Sequence, residues 1–169
     1  MSPRVIGATA LRVLDQLRRD PRTVVLLLAV PCVLLVLLDQ LFAGRPELFQ
    51  QVGVPMLGLF PLISMFLVTS ITMLRERTSG TLERLLTLPV AKLDILLGYG
   101  LGFALVAVVQ GVLVSVVGFG LLDLTVANPR ILIVALAVAN AVLGMAFGLF
   151  LSAFAQTEFQ AVQFMPAFI

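Results

Sequence analysis

Few residues in this 169-residue chain could carry chemistry, and their types exclude most kinds of active site. The chain has no histidine, Cys32 is its one cysteine and Lys92 its one lysine. Histidine catalysis and histidine metal ligation are therefore excluded, and a lone cysteine forms neither a disulfide framework nor a metal cluster within the chain. Because Lys92 stands between Ala91 and Leu93, it belongs to no phosphate-binding Gly-x4-Gly-Lys-Ser/Thr loop. We expect no catalytic residue, no metal site and no cofactor bound by this chain.

The densest local signals lie in the hydrophilic segment 75–94. Thr78-Ser79-Gly80 predicts a turn, and Thr81 after it is a suitable helix N-cap. Glu83 falls in the first turn, where the helix dipole favours an anion. Three leucines then form an apolar ridge before Pro89 ends the helix: Leu82, Leu85 and Leu86. We predict a helix of about two turns whose ridge docks a soluble partner; the alternatives are a helix resting on lipid or packing on its own bundle.

The composition indicates what must position this segment. Hydrophobic residues make up 60% of the chain and charged residues 12%, whereas a soluble domain is about half apolar and about a quarter charged. Too few polar residues remain to cover a globular core, so lipid is the expected solvent. The net charge of +2 is too small to suggest a nucleic-acid partner. The sequence therefore predicts an all-α, polytopic helical membrane protein.

Four apolar stretches have roughly the 20 residues that a helix needs to cross about 30 Å of hydrocarbon. They are Thr23–Ala43, Val52–Leu74, Ile95–Leu122 and Ile131–Ala155. A fifth begins near Phe159 and reaches Ile169, which as a helix covers only about 16 Å. We expect residues 1–169 to form a single transmembrane domain with four complete spans and the start of a fifth, the C-terminal spans of a longer protein being absent.

Charge asymmetry orients these spans. Nine of the eleven basic residues precede the first span or lie between the second and third, and the other two loops hold only Arg45 and Arg130. The positive-inside rule therefore places the N-terminus and the 75–94 segment in the cytoplasm. Ten arginines against one lysine suggest a bacterial source, and hence the bacterial inner membrane.

Residues 1–22 are predicted to form a cytoplasmic amphipathic segment. Apolar residues recur on one helical face while arginines such as Arg12 and Arg19 occupy the other, and Pro21 follows; the apolar set is Ile6, Ala10, Val13, Leu14 and Leu17. We expect a helix lying in the membrane interface. The alternative is a solvated leader that only fixes topology.

Uncharged polar and small residues interrupt the predicted spans. Polar side chains at membrane depth either bond to a neighbouring helix or line a substrate path, and the candidates are Ser64, Thr69, Gln110 and Asn140. The ridges Gly98-x3-Gly102 and Gly144-x3-Gly148-x3-Ser152 predict close helix packing. Glycines and prolines between Gly53 and Pro61 should kink the second span, either as a gate or as static strain relief. No charged residue lies at mid-membrane depth, which favours ATP over proton drive.

The run Glu76-x3-Gly80-Thr81-Leu82-Glu83-x-Leu85-x3-Pro89, between the second and third spans, resembles the ABC transporter type-two permease family, including its daunorubicin-resistance-like drug exporters. The resemblance implies six spans and a coupling helix, Thr81–Leu88, held in a groove of an ATPase beside Val5–Arg19. The coupling residues it implies are Glu76, Gly80, Thr81, Leu82, Glu83, Leu85, Leu86 and Pro89.

The partners implied by the resemblance are two copies of a separate ABC ATPase, which would hold ATP and Mg²⁺, and a second permease copy or a paralogous permease. The expected function is export of a hydrophobic or amphipathic substrate (drug, lipid or lipid-linked glycan) by alternating access. Two other classes stay open: a membrane assembly or scaffold protein without transport, and a proton-driven carrier.

Overall fold

The structure, a computed structural model, describes residues 2–87, 91–163 and 165, and of Glu83 and Leu86 it describes only the backbone. Within those residues the chain forms helices and no strand. Four helices, α2, α3, α5 and α6, are long and apolar enough to span a membrane. The helices are α1 Pro3–Arg19, α2 Pro21–Leu41, α3 Pro46–Thr78, α4 Thr81–Leu86, α5 Lys92–Gly120, α6 Arg130–Ser152 and α7 Glu158–Gln163. The predicted all-α polytopic fold is confirmed.

Helix α1 has the predicted apolar face, and the structure gives that face a partner within the bundle. Ala10, Val13 and Leu17 are buried. They face the start of α5, where a Cβ at Gly102 would lie 3.0 Å from Val13 Cβ, and a Cβ at Gly98 would overlap the side chain of Thr9. The first glycine ridge of the sequence therefore makes room for the amphipathic helix.

Both ends of α1 are fixed by hydrogen bonds. The backbone N–H of Ser2 donates to Asp94 Oδ2 at 2.9 Å, which ties the start of α1 to the start of α5. Asp20 ends α1 and caps α2, because its carboxylate accepts from the backbone N–H of Thr23 at 3.3 Å and from its hydroxyl at 2.6 Å. Pro21 occupies the first turn of α2, where a missing N–H costs nothing.

Helices α3 and α6 approach each other until their backbones touch. A Cβ at Gly144 would overlap the carbonyl of Leu62, and one at Gly148 would lie 2.7 Å from the carbonyl oxygen of Phe66. The close packing predicted from this glycine ridge is present. In its first half, α3 continues as one helix through Pro55 and Pro61. Neighbouring helices support the backbone there, so the prolines do not interrupt the helix.

The end of the bundle opposite α4 is closed by the connection between α5 and α6. Asp123 adopts a positive φ of 49°, which turns the chain there. Leu124 after it is fully buried, and its side chain packs against Gly53 of α3 and Gly118 of α5. Gln50 of α3 holds the same connection by accepting from the backbone N–H of Thr125 at 2.7 Å.

Candidate functional site

Three consecutive charged residues at the end of α3 reach three different parts of the bundle. We call Arg75, Glu76 and Arg77 the charged triplet. Successive side chains on a helix point about 100° apart, so three in a row face three directions. In the structure each side chain of the triplet contacts a different neighbour.

Glu76 joins α3 to α1 and α5. Its side chain is 8% exposed, and Oε2 accepts from Arg12 Nη2 at 2.7 Å and from the hydroxyl of Tyr99 at 2.8 Å. Gln16 Nε2 donates to Oε1 at 2.5 Å. The guanidinium of Arg12 also lies 5.6 Å from the centroid of the Tyr99 ring. With three donors, this buried carboxylate belongs to a charged hydrogen-bond network and is not part of an isolated ion pair.

Arg77 joins α3 to the end of α6. Its Nη1 donates to the backbone carbonyl of Ser152, the last residue of α6. The final carbonyls of a helix have no partner within the helix and carry the negative end of its dipole. Arg77 therefore caps α6 from outside and favours its present position against α3.

Arg75 joins α3 to α7 across the surface. Its Nε lies 2.7 Å from Oε1 of Glu158, the first residue of α7. This hydrogen bond holds the pKa of Glu158 below its usual value of 4.5. Because the side chains of Arg75 and Glu158 are 61% and 49% exposed, the pair adds little to overall stability. It positions a short helix that makes few other contacts.

Helix α4 begins two residues after α3 ends, with a left-handed glycine between them. Gly80 has φ +71°, and its carbonyl accepts from the backbone N–H of Arg84 at 3.1 Å. Gly80 therefore occupies the capping position, and the prediction that Thr81 is the N-cap is wrong by one residue. Thr81 is the first helical residue, and its hydroxyl lies 2.9 Å from that of Ser79. Only a residue without Cβ makes this tight reversal at low cost.

The leucine ridge of α4 faces the bundle at two of its three positions. Leu82 and Leu85 are partly buried against the apolar core that includes Leu17 and Met73. Packing of the ridge on its own bundle was one of the alternatives to docking a partner, and Leu82 and Leu85 pack in this way. Arg84 on the outward side of α4 is exposed, as is Thr87, the residue that follows the helix. The side chains of Glu83 and Leu86 are not described, and Leu88 and Pro89 lie outside the described residues.

A cavity of about 310 Å³ adjoins the charged triplet. Helices α1, α3, α4 and α5 surround it, with Leu17, Thr72, Glu76, Thr81 and Phe103 in its lining. The α4 end is thus less densely packed than the contact between α3 and α6. Side chains around Glu76 have room to rearrange.

Of the polar residues predicted for a substrate path, the structure brings two together. Gln110 is fully buried, and its Nε2 donates to the carbonyl of Leu27 at 3.0 Å and to the hydroxyl of Ser64. It thereby links α5 to α2 and α3. Thr69 is buried beside Gly148, and Asn140 lies against Gly58. These two are separate from Gln110 in their contacts.

Sequence reasoning did not select the partners of Glu76. The sequence places Arg12 only on the polar face of an interfacial helix, and it counts the two arginines of the charged triplet only among the basic residues that orient the spans. Tyr99 was not considered, although it is the only tyrosine and lies two turns into α5. A lone phenol at the polar end of a span is the one signal that pointed to a hydrogen-bond partner.

Comparison with known proteins gives one match over nearly the whole chain. The family model described as ABC-2 type transporter matches residues 4–169. No curated protein matches the chain. No solved structure matches it.

Proposed function

Because this chain belongs to the ABC-2 type transporter family, we propose that it is the permease subunit of an ATP-driven exporter. The family is a multi-pass membrane transporter domain that associates with an ABC ATPase and is not itself catalytic. In our proposal two ATPase copies hold ATP and Mg²⁺, and a second permease copy, identical or paralogous, completes the path. The substrate is hydrophobic or amphipathic, a drug, a lipid or a lipid-linked glycan, and crosses the bacterial inner membrane by alternating access.

One observation carries the proposal: the charged triplet stands immediately before α4. Three residues separate Arg77 from Thr81, so a displacement of α4 acts directly on the end of α3. Through Glu76 that end holds α1 and α5, and through Arg77 it holds α6. This connectivity supports a role for α4 as the coupling helix, with the triplet passing its movement to the bundle.

The surface proposed for the ATPase is the outward side of α4 together with the outward side of α1. Arg84 of α4 and Thr87 directly after it are exposed, and Leu11 of α1 is 66% exposed. A groove in α1 includes Leu11, Asp15 and Arg19. Exposed apolar area flanked by charges is typical of a protein-binding surface. Leu82 and Leu85 serve instead to seat α4 on the bundle.

Charge reversal at Arg84 tests this surface. We expect Arg84→Glu to reduce co-purification of the partner ATPase and, in parallel, substrate-stimulated ATP hydrolysis, because a reversed charge within an interface no longer complements the charge of the partner's surface. Arg45→Glu is the matched control, since it reverses an exposed arginine at the other end of the bundle. Wild-type ATPase binding and export by Arg84→Glu would refute the docking role of α4.

The proposed orientation places α1, α4 and α7 in the cytoplasm. The basic segments before α2 and after α3 meet at one end through Arg12 and Glu76, so a single orientation accommodates both. In a Cys32→Ser background, a cysteine at Thr78 should react with a membrane-impermeant thiol reagent only in inverted vesicles. A cysteine at Pro46 should react in intact spheroplasts. Both positions are exposed, and the reverse pattern would contradict the orientation.

The proton-driven alternative is less well supported. The buried carboxylates among the described residues, Glu76 and Asp94, lie at the end of α3 and the start of α5, so neither is at mid-membrane depth. Collapse of the proton gradient should leave export intact if ATP supplies the energy. Substrate-stimulated ATPase activity separates the exporter from a scaffold protein without transport.

A further inference from the structure

A groove runs between the end of α5 and the start of α6, at the end of the bundle opposite α4. The two helices touch at Gly111, where a Cβ would lie 2.8 Å from Val138 Cα. Beyond that contact they enclose a groove of about 270 Å³. Its walls include Val112, Val116 and Val134, and Val112 and Val116 are 42% and 60% exposed. The groove is therefore apolar and opens toward the hydrocarbon of the bilayer.

Arg130 stands at the polar end of this groove. It is exposed, opens α6, and its guanidinium lies 5.7 Å from the centroid of the Phe119 ring. The ion pairs of the described part of the chain are Arg12–Glu76 and Arg75–Glu158, so no described carboxylate neutralises Arg130. The valine walls below it offer no polar partner, and Ser115, which also lines the groove, donates its hydroxyl to the carbonyl of Gly111 at 2.8 Å. The guanidinium of Arg130 therefore lies at headgroup depth, above an apolar groove, and no described carboxylate neutralises it.

We propose that this groove binds one phospholipid with a net anionic headgroup. The phosphodiester accepts hydrogen bonds from the guanidinium of Arg130, whose planar fork matches phosphate oxygens. One acyl chain lies along Val112, Val116 and Val134. A zwitterionic headgroup brings an ammonium group close to the guanidinium of Arg130, and no described carboxylate is there to neutralise it. An anionic lipid is therefore favoured. This site goes beyond the proposed exporter function and does not depend on it.

Native mass spectrometry of the purified full chain tests the site with two probes, phosphatidylglycerol and phosphatidylcholine. We expect the wild type to retain phosphatidylglycerol preferentially. Arg130→Gln should weaken its retention about fivefold, the value of one arginine near an anionic surface. Arg130→Lys should restore part of it. Arg45→Gln, which removes the same charge at the same end but outside the groove, should leave retention unchanged.

The groove itself is tested by filling it. Gly120 lines the groove, and a Cβ there would meet no atom within 4 Å, so a side chain can begin at this position and Gly120→Leu adds bulk beside the groove. We expect this variant to lose both lipids while it unfolds at the wild-type temperature. An excess of glycerol phosphate should not displace the bound lipid, because the acyl chain contributes to binding.

Four outcomes would overturn the proposal. Equal retention of the two lipids would remove the anion preference, and an equal loss in Arg45→Gln would show a general surface-charge effect. Displacement by glycerol phosphate would leave a free phosphate site without an acyl groove. Disulfide crosslinking of two copies through Val116→Cys, in a Cys32→Ser background, would make the groove a protein interface. None of these results bears on ATP-driven export.

Discussion

Replacing Glu76 by glutamine tests whether the charged triplet holds the α4 end together. The substitution keeps the shape of the side chain and removes its charge. Glu76 now accepts hydrogen bonds from Arg12 Nη2, Gln16 Nε2 and the hydroxyl of Tyr99. After the change, the positive charge of Arg12 loses its partner, and an amide NH₂ group replaces one accepting oxygen.

The magnitude follows from burial. Removing one partner of a fully buried ion pair costs about 3–5 kcal/mol, and a hydrogen bond to a charged group contributes about 1.5–3 kcal/mol. The side chain of Glu76 is 8% exposed, but that of Arg12 is 31% exposed and can still reach water. We therefore expect Glu76→Gln to lower the free energy of unfolding by about 2 kcal/mol, below the fully buried range.

A double-mutant cycle isolates the pair. Because Arg12→Gln alone also breaks the ion pair, the double variant should lose less than the sum of the single losses, with a coupling energy of about 1–2 kcal/mol. Unfolding in detergent, followed by loss of helical circular dichroism, measures each corner of the cycle. Glu47→Gln is the control, since it removes an exposed carboxylate from the first turn of the same helix.

The functional readout separates coupling from docking. The exposed surface of α4 is unchanged in Glu76→Gln, so the ATPase should still bind, while substrate transported per ATP hydrolysed should fall. Additive losses for Arg12 and Glu76, or wild-type stability together with wild-type coupling in Glu76→Gln, would refute the reasoning.

Three further predictions concern other contacts. Gly144→Ala should lower the free energy of unfolding by about 1–3 kcal/mol, because the new Cβ would overlap the backbone of α3. The control Gly100→Ala should be neutral or stabilising, because its Cβ would meet no atom within 4 Å. Equal effects of the two substitutions would contradict the backbone contact. Gln110→Leu should lower the free energy of unfolding by about 1 kcal/mol and leave transport intact, because the variant loses the interhelical hydrogen bonds of Gln110. Loss of transport at wild-type stability would instead assign Gln110 to the substrate path. The pKa of Glu158 is lowered by its hydrogen bond with Arg75, so the contribution of this ion pair to the docking of α7 is fully present above the ordinary value of 4.5 and is lost as pH falls through the lower folded-state pKa. Hydrogen exchange across Glu158–Gln163 should therefore rise only below about pH 4.5, and the rise should be absent in Glu158→Gln.

The spans could be predicted from the sequence because lipid imposes one simple requirement, an uninterrupted apolar helix. The helices extend beyond the predicted apolar stretches at several ends. For example, α3 runs from Pro46 to Thr78, whereas the apolar run covers Val52–Leu74. Polar residues continue a helix into the headgroup region, because their backbone groups bond within the helix and their side chains can bond to water there. Apolar length alone does not locate those ends.

The contacts of the candidate site could not be predicted in the same way. The glycine ridges predicted close packing, but not that Gly98 and Gly102 would receive α1 while Gly144 and Gly148 would receive α3. The motif drew attention to Glu76, but not to its three partners, which lie 64, 60 and 23 residues away along the chain. Spacing in a sequence reports which residues share a helix face. Which face meets which neighbour depends on how the helices assemble.

Helix α3 comes closest to the backbone of α6 near its own middle, and its two ends extend well beyond that point. At 33 residues it is about 50 Å long, while the hydrocarbon layer is about 30 Å thick. Its backbone touches α6 at Leu62 and Phe66, near the middle of the rod. A tilt of about 5° about that point moves the two ends by about 2 Å each, in opposite directions. If α3 tilts in this way during the proposed alternating access, an inward movement at the charged triplet is accompanied by an outward movement at Pro46.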